Sequence, residues 1–298
     1  MKIINYEDIN NLNIQNSDLI NLVDETLRDK KNCILPAKIS MHLDGGIFYN
    51  VMPSIIPNKK VAGVKLVNRY PERDVSLKSN MMLYDLISGD IKCVMDADYI
   101  TTKRTAAVAV HSIKILAKKN YSVISFLGMG EIGKATLKCY LDTTDTSDVK
   151  VGILNYKGRA KEIIKEFKHY KVKEWVIFDN YEELAKESDI IVSSVTYQEK
   201  DFARAEIYKK RCLIIPIHTR GFMECDLTFD KVFCDDKSHV SGIRYYPSFE
   251  SKLSEISEVL LGVAKGREND DERILCYNIG ISLHDVALAE HIYNRITN

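Results

Sequence analysis

The fold is decided by the stretch Val123-Ile124-Ser125-Phe126-Leu127-Gly128-Met129-Gly130-Glu131-Ile132-Gly133. An apolar run of strand type ends at Leu127, and a helical pattern follows the glycines. Gly128 allows a tight turn, Gly130 lets the backbone approach a pyrophosphate, and Gly133 lets the helix pack close to the strand. The helix start offers free N–H groups and a positive dipole end. The stretch predicts a dinucleotide-binding turn made by Gly128, Gly130, Glu131, Ile132 and Gly133; an ordinary glycine-rich turn is the alternative.

Strands and helices continue to alternate after this turn, which is typical of a doubly wound parallel sheet in an α/β protein. The predicted strands are Val123–Leu127, Val149–Leu154, Trp175–Phe178, Asp189–Val195, Cys212–Ile217 and Lys231–Cys234. The predicted helices between them are Ile132–Leu141, Arg159–Tyr170 and Tyr181–Ser188, and two further helices are predicted over Glu250–Ala264 and Ser282–Arg295.

The first hundred residues have a different pattern. An amphipathic helix is predicted over Ser17–Arg28, and short β-rich runs separated by turn residues then predict an antiparallel meander. Its strands are Ile47–Met52, Val61–Val67, Met81–Ile87 and Ile91–Met95. A helix over Ala106–Lys118 follows, and Thr101 or Thr102 is expected to cap it.

Composition excludes several classes of protein. The chain has 298 residues, with 42 basic and 42 acidic side chains, so it lacks the basic footprint of a nucleic-acid-binding protein. No apolar run approaches the roughly 20 residues that span a bilayer, and the start lacks a signal-peptide pattern. Seven cysteines without a C-x-x-C spacing favour a reducing compartment over a disulfide or zinc scaffold. The sequence therefore predicts a cytoplasmic protein without metal, membrane or nucleic-acid partner.

The end of the second strand of a dinucleotide-binding unit usually selects the cofactor, because a carboxylate there binds the ribose hydroxyls of NAD and repels the 2′-phosphate of NADP. This chain has Asn155 at that position, with Lys157 and Arg159 shortly after it. Two cations and no acid favour NADP over NAD. The alternative is that Lys157 and Arg159 only solvate the start of a helix.

Further motifs resemble those of the ornithine cyclodeaminase/mu-crystallin family, in the same order along nearly the whole chain. They are Met52-Pro53, Gly63-Val64-Lys65, the turn Asp85-Leu86-Ile87-Ser88-Gly89, the run Ile100-Thr101-Thr102-Lys103-Arg104-Thr105-Ala106-Ala107, and the closing segment Gly280-Ile281-Ser282-Leu283-His284-Asp285-Val286-Ala287. The resemblance implies an α+β substrate-binding and dimerisation domain of residues 1–105 and 281–298, into which a Rossmann domain of residues 106–280 is inserted. It further implies a homodimer that uses NAD(P) on small α-amino or imino acids.

By this resemblance, Lys65 and Arg104 point into the substrate pocket. Arg104 is expected in the first turn of its helix, where a carboxylate would also meet free N–H groups, and its guanidinium can clamp a carboxylate bidentately. Lys65 can also move a proton if burial lowers its pKa. Lys38 occupies the place of an arginine that often helps to hold the carboxylate in this family. The alternatives are a surface lysine at position 65 and a helix-start salt bridge at position 104.

The resemblance breaks down after the late Rossmann strand, where ornithine cyclodeaminases carry an acid/base Asp and this chain has His218. A histidine can shuttle protons near neutral pH but is less suited to pair with a cationic side-chain amine. The alternative is a hydrogen-bonded histidine at a strand end. Ser194 and Thr196 are expected on the nicotinamide side. Asp285 is expected near the cofactor, or else as a helix cap.

These residues together predict an NAD(P)-dependent oxidoreductase that transfers hydride at the α-carbon of a small amino acid or of its imino or keto acid. Lys38, Lys65 and Arg104 would hold the carboxylate, and Lys65 or His218 would move protons. Two other functions remain open: ornithine cyclodeamination to proline and ammonia with the cofactor recycled, and non-catalytic NADPH-dependent binding of a small ligand.

Overall fold

The computed structural model describes residues 1–196 and 198–297. The chain divides into two compact units, one made of Met1–Arg104 with Gly280–Asn298 and the other of Thr105–Ile279. The roles expected for these two parts, substrate binding with dimerisation and cofactor binding, stay predictions. No described helix is both long and apolar enough to cross a membrane.

The strands are Lys2–Ile4 (β1), Ile39–Leu43 (β2), Ile47–Ile56 (β3), Val61–Arg69 (β4), Leu77–Asp85 (β5), Ile91–Asp96 (β6), Val123–Leu127 (β7), Lys150–Leu154 (β8), Glu174–Phe178 (β9), Ile190–Ser193 (β10), Leu213–Pro216 (β11), Lys231–Cys234 (β12), Leu253–Glu255 (β13) and Ile274–Tyr277 (β14). The α-helices are Tyr6–Asn10 (α1), Asn16–Asp29 (α2), Asp98–Leu116 (α3), Glu131–Thr143 (α4), Ala160–Phe167 (α5), Tyr181–Glu187 (α6), Met223–Thr228 (α7), Lys237–Val240 (α8), Tyr246–Phe249 (α9), Ile256–Leu260 (α10) and Ser282–Thr297 (α11).

The first unit is built on a six-stranded sheet in the order β1-β6-β5-β4-β3-β2. The predicted antiparallel meander is confirmed from β3 to β6, with β2 added at one edge and β1 paired in parallel with β6 at the other. Helix α11 packs across β3, β4 and β5. Because side chains alternate along a strand, every second residue of β4 from Val61 to Val67 is buried, including Gly63 and Lys65.

The second unit is built on an eight-stranded parallel sheet in the order β13-β12-β14-β11-β10-β7-β8-β9, which confirms the predicted doubly wound α/β class. The chain runs outward from β7 in both directions, so β7 lies between β8 and β10. In such sheets ligands bind beyond the carboxyl ends of the strands, at the point where the strand order reverses. That point is the end of β7, where the glycine-rich turn begins.

The cap predicted for the third helix is wrong. Helix α3 begins at Asp98 because the Asp96 carboxylate accepts a hydrogen bond from the Asp98 N–H at 2.9 Å, and the Ala97 carbonyl accepts one from the Thr101 N–H at 2.8 Å. Thr101 and Thr102 therefore lie inside the helix rather than at its cap. Arg104 lies in the second turn rather than the first, so free N–H groups of the helix start do not assist it.

The single helix predicted over Glu250–Ala264 is also wrong. After a 3₁₀ turn, Leu253–Glu255 forms β13 and pairs in parallel with β12. The Glu255 side chain then accepts a hydrogen bond from the Glu258 N–H, and the Glu258 side chain accepts one from the Glu255 N–H; this capping box starts α10 at Ile256. Sheet pairing across the fold overrides the local helical pattern here.

Candidate functional site

In the first unit, a buried ion-pair cluster joins three elements. The Asp285 Oδ1 of α11 accepts a hydrogen bond from the Lys65 Nζ of β4 at 2.8 Å and another from the Arg104 Nε of α3 at 2.8 Å. The side chains of Lys65 and Asp285 are 0% exposed and that of Arg104 is 8% exposed. The surface-lysine alternative for Lys65 is therefore wrong.

Burial and charge set the protonation of this cluster. Burial lowers the pKa of Lys65 to about 8, helped by the charges of Arg104 and Lys38 and opposed by Asp285. Burial alone would raise the pKa of Asp285, but the charges of Arg104 and Lys65 outweigh it and hold that pKa below its usual 3.8. Near neutral pH the cluster thus contains a fixed carboxylate, a fixed guanidinium and an amine poised to exchange a proton.

Gly280, a residue of the closing motif, lies against the Arg104 guanidinium. Its φ is +86°, in the region that favours glycine. A Cβ at this position would lie 2.5 Å from the Arg104 Nη1 and 3.0 Å from the Nη2. Any side chain would therefore displace the guanidinium. The half-buried Lys38 lies just before β2, near enough to act on the pKa of Lys65.

The glycine-rich turn has the geometry of a phosphate cradle. Gly128 has φ +79°, and a Cβ there would lie 2.4 Å from the Ser194 carbonyl carbon. A Cβ at Gly133 would lie 2.4 Å from the Gly128 oxygen. A Cβ at Gly130 would meet no atom within 4 Å, so that glycine leaves open space rather than satisfying a packing need. The N-cap residue of α4 is Gly130, which has no side chain to cap the first N–H groups of the helix, and this arrangement fits a dinucleotide pyrophosphate.

Asn155, at the end of β8, is hydrogen-bonded to a carboxylate that the sequence did not reveal. The Asn155 Nδ2 donates a hydrogen bond to the Asp179 Oδ1 at 2.8 Å, and Asp179 is exposed just after β9. Lys157 and Arg159 are exposed too, and Arg159 forms a loose pair with Glu162 at 3.7 Å. The signal for Asp179 is its position at the carboxyl end of a parallel strand, where ligand-binding side chains gather.

His218 lies just beyond β11, with its Nε2 2.5 Å from the Ser193 Oγ. Burial lowers its pKa to about 4, so the ring is neutral at physiological pH. The rings of Phe202 and Phe222 lie beside it, with centroids 6.3 and 6.0 Å away. The alternative of a hydrogen-bonded histidine at a strand end thus describes its surroundings, and Ser193 is a partner that the sequence did not single out.

A second polar group lies at the neighbouring strand end. Asn278 follows β14 and donates its backbone N–H to the Pro216 carbonyl at 3.0 Å. Its side chain is buried, and its Oδ1 has no hydrogen-bond partner among the described residues. A buried acceptor of this kind suits a ligand that carries an N–H donor. The half-buried Ser194 and the exposed Thr196 follow β10, on the same edge of this sheet.

The structure therefore collects the predicted residues into two groups. Lys38, Lys65, Arg104 and Asp285 belong to the first unit, and the glycine turn, Asn155, Lys157, Arg159, Ser194, Thr196 and His218 belong to the second. Among the described residues no three His, Cys, Asp or Glu side chains are placed to hold a metal ion. Asp236 instead caps α8 by accepting a hydrogen bond from the His239 N–H.

One unit of the chain has a doubly wound sheet with a glycine cradle, and the other buries a lysine–arginine–aspartate cluster. These two features define a class of two-unit α/β protein with a dinucleotide-type fold. The model of the ornithine cyclodeaminase/mu-crystallin family matches residues 2–298. The chain belongs to this family.

Relatives with known names are distant in sequence. The nodulation efficiency protein NfeD of Rhizobium meliloti is 27% identical and covers 97% of this chain and 93% of its own. The alanine dehydrogenase of Archaeoglobus fulgidus is also 27% identical and covers 98% and 94%. The structure of Thermococcus litoralis Δ¹-pyrroline-2-carboxylate reductase with NADH and L-proline superimposes with a TM-score of 0.86 at 22% identity and covers 99% and 97%. The last likeness establishes the shared fold.

Proposed function

We propose that this protein is an NAD(P)-dependent oxidoreductase that transfers hydride at the α-carbon of a small α-amino acid or of its imino or keto acid. The observation that carries the proposal is the buried Lys65 amine beside the Arg104 guanidinium. Its relatives include an alanine dehydrogenase and a fold neighbour that binds NADH and L-proline. The predicted cytoplasmic location is part of the same proposal.

Each residue of the first unit has a task in this reaction. The terminal nitrogens of Arg104 bind the substrate carboxylate as a fork, and Lys38 adds positive charge. In the reductive direction the α-carbon of an imine gains hydride, and the Lys65 Nζ gives a proton to the imine nitrogen. In the oxidative direction the neutral Lys65 amine takes a proton from the amino group. A pKa of about 8 suits both directions, because each form is accessible near neutral pH.

His218 is a weaker candidate for this proton transfer. Its pKa is lowered to about 4 and its Nε2 is engaged with Ser193, so it stays neutral and already has a partner. Its neutral ring also offers no charge to the side-chain ammonium of ornithine. Both observations favour oxidation or reduction of a substrate without a second amine.

The second unit would hold the cofactor, which supplies or accepts the hydride. The cradle of Gly128, Gly130 and Gly133 with the N–H groups of α4 would bind the pyrophosphate. Ser194, Thr196 and Asn278 would face the nicotinamide. Lys157 and Arg159 support a preference for NADP, whereas the Asp179 carboxylate beside Asn155 opposes it. Dissociation constants for NADPH and NADH, measured by fluorescence, test this preference: equal or tighter NADH binding would remove it.

The proposal is tested by following NAD(P)H absorbance with pyruvate plus ammonia, Δ¹-pyrroline-2-carboxylate, L-alanine, L-proline and L-ornithine. A steady absorbance change is expected with at least one non-ornithine substrate. Lys65→Met should lower that rate by roughly 100-fold or more and leave the NAD(P)H dissociation constant unchanged. Formation of proline and ammonia from ornithine without net absorbance change would instead establish a cyclodeaminase. Tight cofactor binding without turnover of any substrate would establish a binding protein.

We also propose that two copies of the chain associate through the outer face of the six-stranded sheet. Register places Ile39, Met41 and Leu43 of β2 on one face with β3 residues, and these three are 59%, 49% and 62% exposed. The same face holds a largely apolar cavity of about 260 Å³. Contiguous exposed apolar surface of this kind is typical of an association site. Light scattering should give twice 34.0 kDa, and Met41→Glu should give the monomer mass; a monomeric wild type would refute the proposal.

A further inference from the structure

The carboxylate of Asp285 does more in this cluster than a cofactor ligand or a helix cap would. It lies on α11 and is fully buried. One of its oxygens accepts hydrogen bonds from both the Lys65 ammonium and the Arg104 guanidinium. We propose that Asp285 is a positioning residue that orients Arg104 for the substrate carboxylate and keeps Lys65 protonated for its reaction. This inference rests on the proposed function.

The first observation is which nitrogen of Arg104 donates to Asp285. Arg104 pairs with the Asp285 Oδ1 through its Nε, so this hydrogen bond does not use the two terminal nitrogens that form the carboxylate-binding fork of a guanidinium. The fork lies on the side of Gly280, where a Cβ would come within 2.5 Å of it. Asp285 thus fixes the rotation of the guanidinium at its Nε edge. The absence of a side chain at Gly280 leaves room for the terminal nitrogens at the opposite edge.

The second observation is the balance of charges around the Lys65 amine. The groups that face Lys65 are Arg104 from α3, Asp285 from α11 and Lys38 from the segment before β2. Of these, only Asp285 favours the ammonium form of Lys65, because burial, Arg104 and Lys38 all oppose it. With Asp285 ionised, Lys65 and Arg104 together present one net positive charge. That is the charge that a substrate carboxylate would neutralise.

The third observation is the second oxygen of the Asp285 carboxylate. The Asp285 Oδ2 is buried and has no hydrogen-bond partner among the described residues. An acid kept purely for stability would be expected to use both oxygens, since a buried unsatisfied oxygen is destabilising. By contrast Glu290, on the same helix, binds Lys92 with both oxygens at 2.8 and 2.9 Å. Glu290 therefore provides a matched ion pair between α11 and the sheet that lies outside the cluster.

The experiment compares Asp285→Asn, Asp285→Glu and the control Glu290→Gln with the wild type. The probe is pyrrole-2-carboxylate, a flat carboxylate without a basic amine, whose affinity is measured by calorimetry from pH 6 to pH 10 in the presence of NADH. Wild-type affinity should fall above about pH 8 as Lys65 loses its proton. In Asp285→Asn this fall should move at least about one pH unit lower, because the charge that favours the ammonium form is gone. Affinity should then drop by about fivefold at pH 8 and by about tenfold at pH 9.

In Asp285→Glu the fall in probe affinity should return toward its wild-type pH, since the negative charge is restored. The affinity itself should stay reduced, because the longer side chain misplaces Arg104. Glu290→Gln should lower the thermal midpoint without moving the fall. An Asp285→Asn variant whose fall in affinity stays at the wild-type pH would overturn the positioning role, and so would a wild type that does not bind the probe at pH 7. A large loss of NADH affinity in Asp285→Asn would assign Asp285 to the cofactor instead. The turnover panel tests the proposed function separately, because probe binding needs no turnover.

Discussion

Asp226 should make the stability of this protein fall as pH rises. It lies in α7 with its side chain 0% exposed, and its Oδ1 accepts a hydrogen bond from the Tyr277 hydroxyl at 2.7 Å. Its Oδ2 has no partner among the described residues. Burial raises its pKa from 3.8 to about 7; nearby Asp201 adds to this, and Tyr277 and Lys252 only partly oppose it.

The size of the effect follows from linkage between protonation and folding. The folded state holds the Asp226 proton more tightly than the unfolded state, so unfolding releases it. Stability is therefore complete below about pH 4 and is lost as pH rises through about 7. A rise in pKa from 3.8 to about 7 corresponds to a loss of about 4 kcal/mol, of which about 3 kcal/mol falls between pH 5 and pH 8.5.

Asp226→Asn removes this titration and keeps the shape and the acceptor for Tyr277. Urea unfolding of both proteins at pH 5 and pH 8.5 measures the effect as the change, between the two pH values, in their difference in free energy of unfolding. We expect the variant to gain about 3 kcal/mol on the wild type over this range. Tyr277→Phe should make the pH dependence steeper, since its hydroxyl lowers the pKa of Asp226. A difference between Asp226→Asn and wild type that stays constant within about 0.5 kcal/mol would show that folding does not raise the pKa of Asp226.

Three further predictions concern the glycines and the cofactor. Gly130→Val should weaken NADH binding at least tenfold with little change in thermal midpoint, because its side chain would enter open space. Gly128→Ala should instead lower the thermal midpoint, because its Cβ would meet Ser194. Equal effects of the two variants on NADH affinity and on thermal midpoint would contradict the phosphate cradle. Gly280→Ala should lower affinity for pyrrole-2-carboxylate by displacing the Arg104 guanidinium, and unchanged affinity by calorimetry would show that the fork does not bind carboxylate. Lys157→Ala with Arg159→Ala should weaken NADPH binding several-fold and leave NADH binding unchanged, as measured by fluorescence; an equal loss for both cofactors would remove these cations from the 2′-phosphate.

Much of the fold could be predicted because its elements have strong local patterns. Strand β7 lies at Val123–Leu127 as predicted, and β12 lies at Lys231–Cys234. What the sequence could not show was pairing at a distance. Strand β13 has only three residues and exists because it pairs with β12. Likewise β2 was missed because its residues are all exposed and pair only with β3.

The chemistry of the site was harder to predict than its residues. Motif order identified Lys65, Arg104 and Asp285, but only packing shows that they share one oxygen. The position of Arg104 within α3 was mistaken because the helix begins at Asp98, at a cap supplied by Asp96. His218 is predicted as a proton carrier because an unperturbed histidine titrates near neutral pH, whereas burial in the fold lowers its pKa to about 4. The burial of a side chain and its hydrogen-bond partners depend on the assembled fold, so they cannot be predicted from residue types alone.

The division of the first unit between the two ends of the chain has a consequence during synthesis. Lys65 and its counter-charge Asp285 are 220 residues apart. At roughly 5–20 residues per second, a ribosome needs about 10–40 s to make the stretch between them. For that interval the sheet has no α11 to cover it, and Lys65 and Arg104 must stay hydrated rather than buried. The unit can therefore bury this cluster only after α11 has emerged with the carboxylate that both cations require.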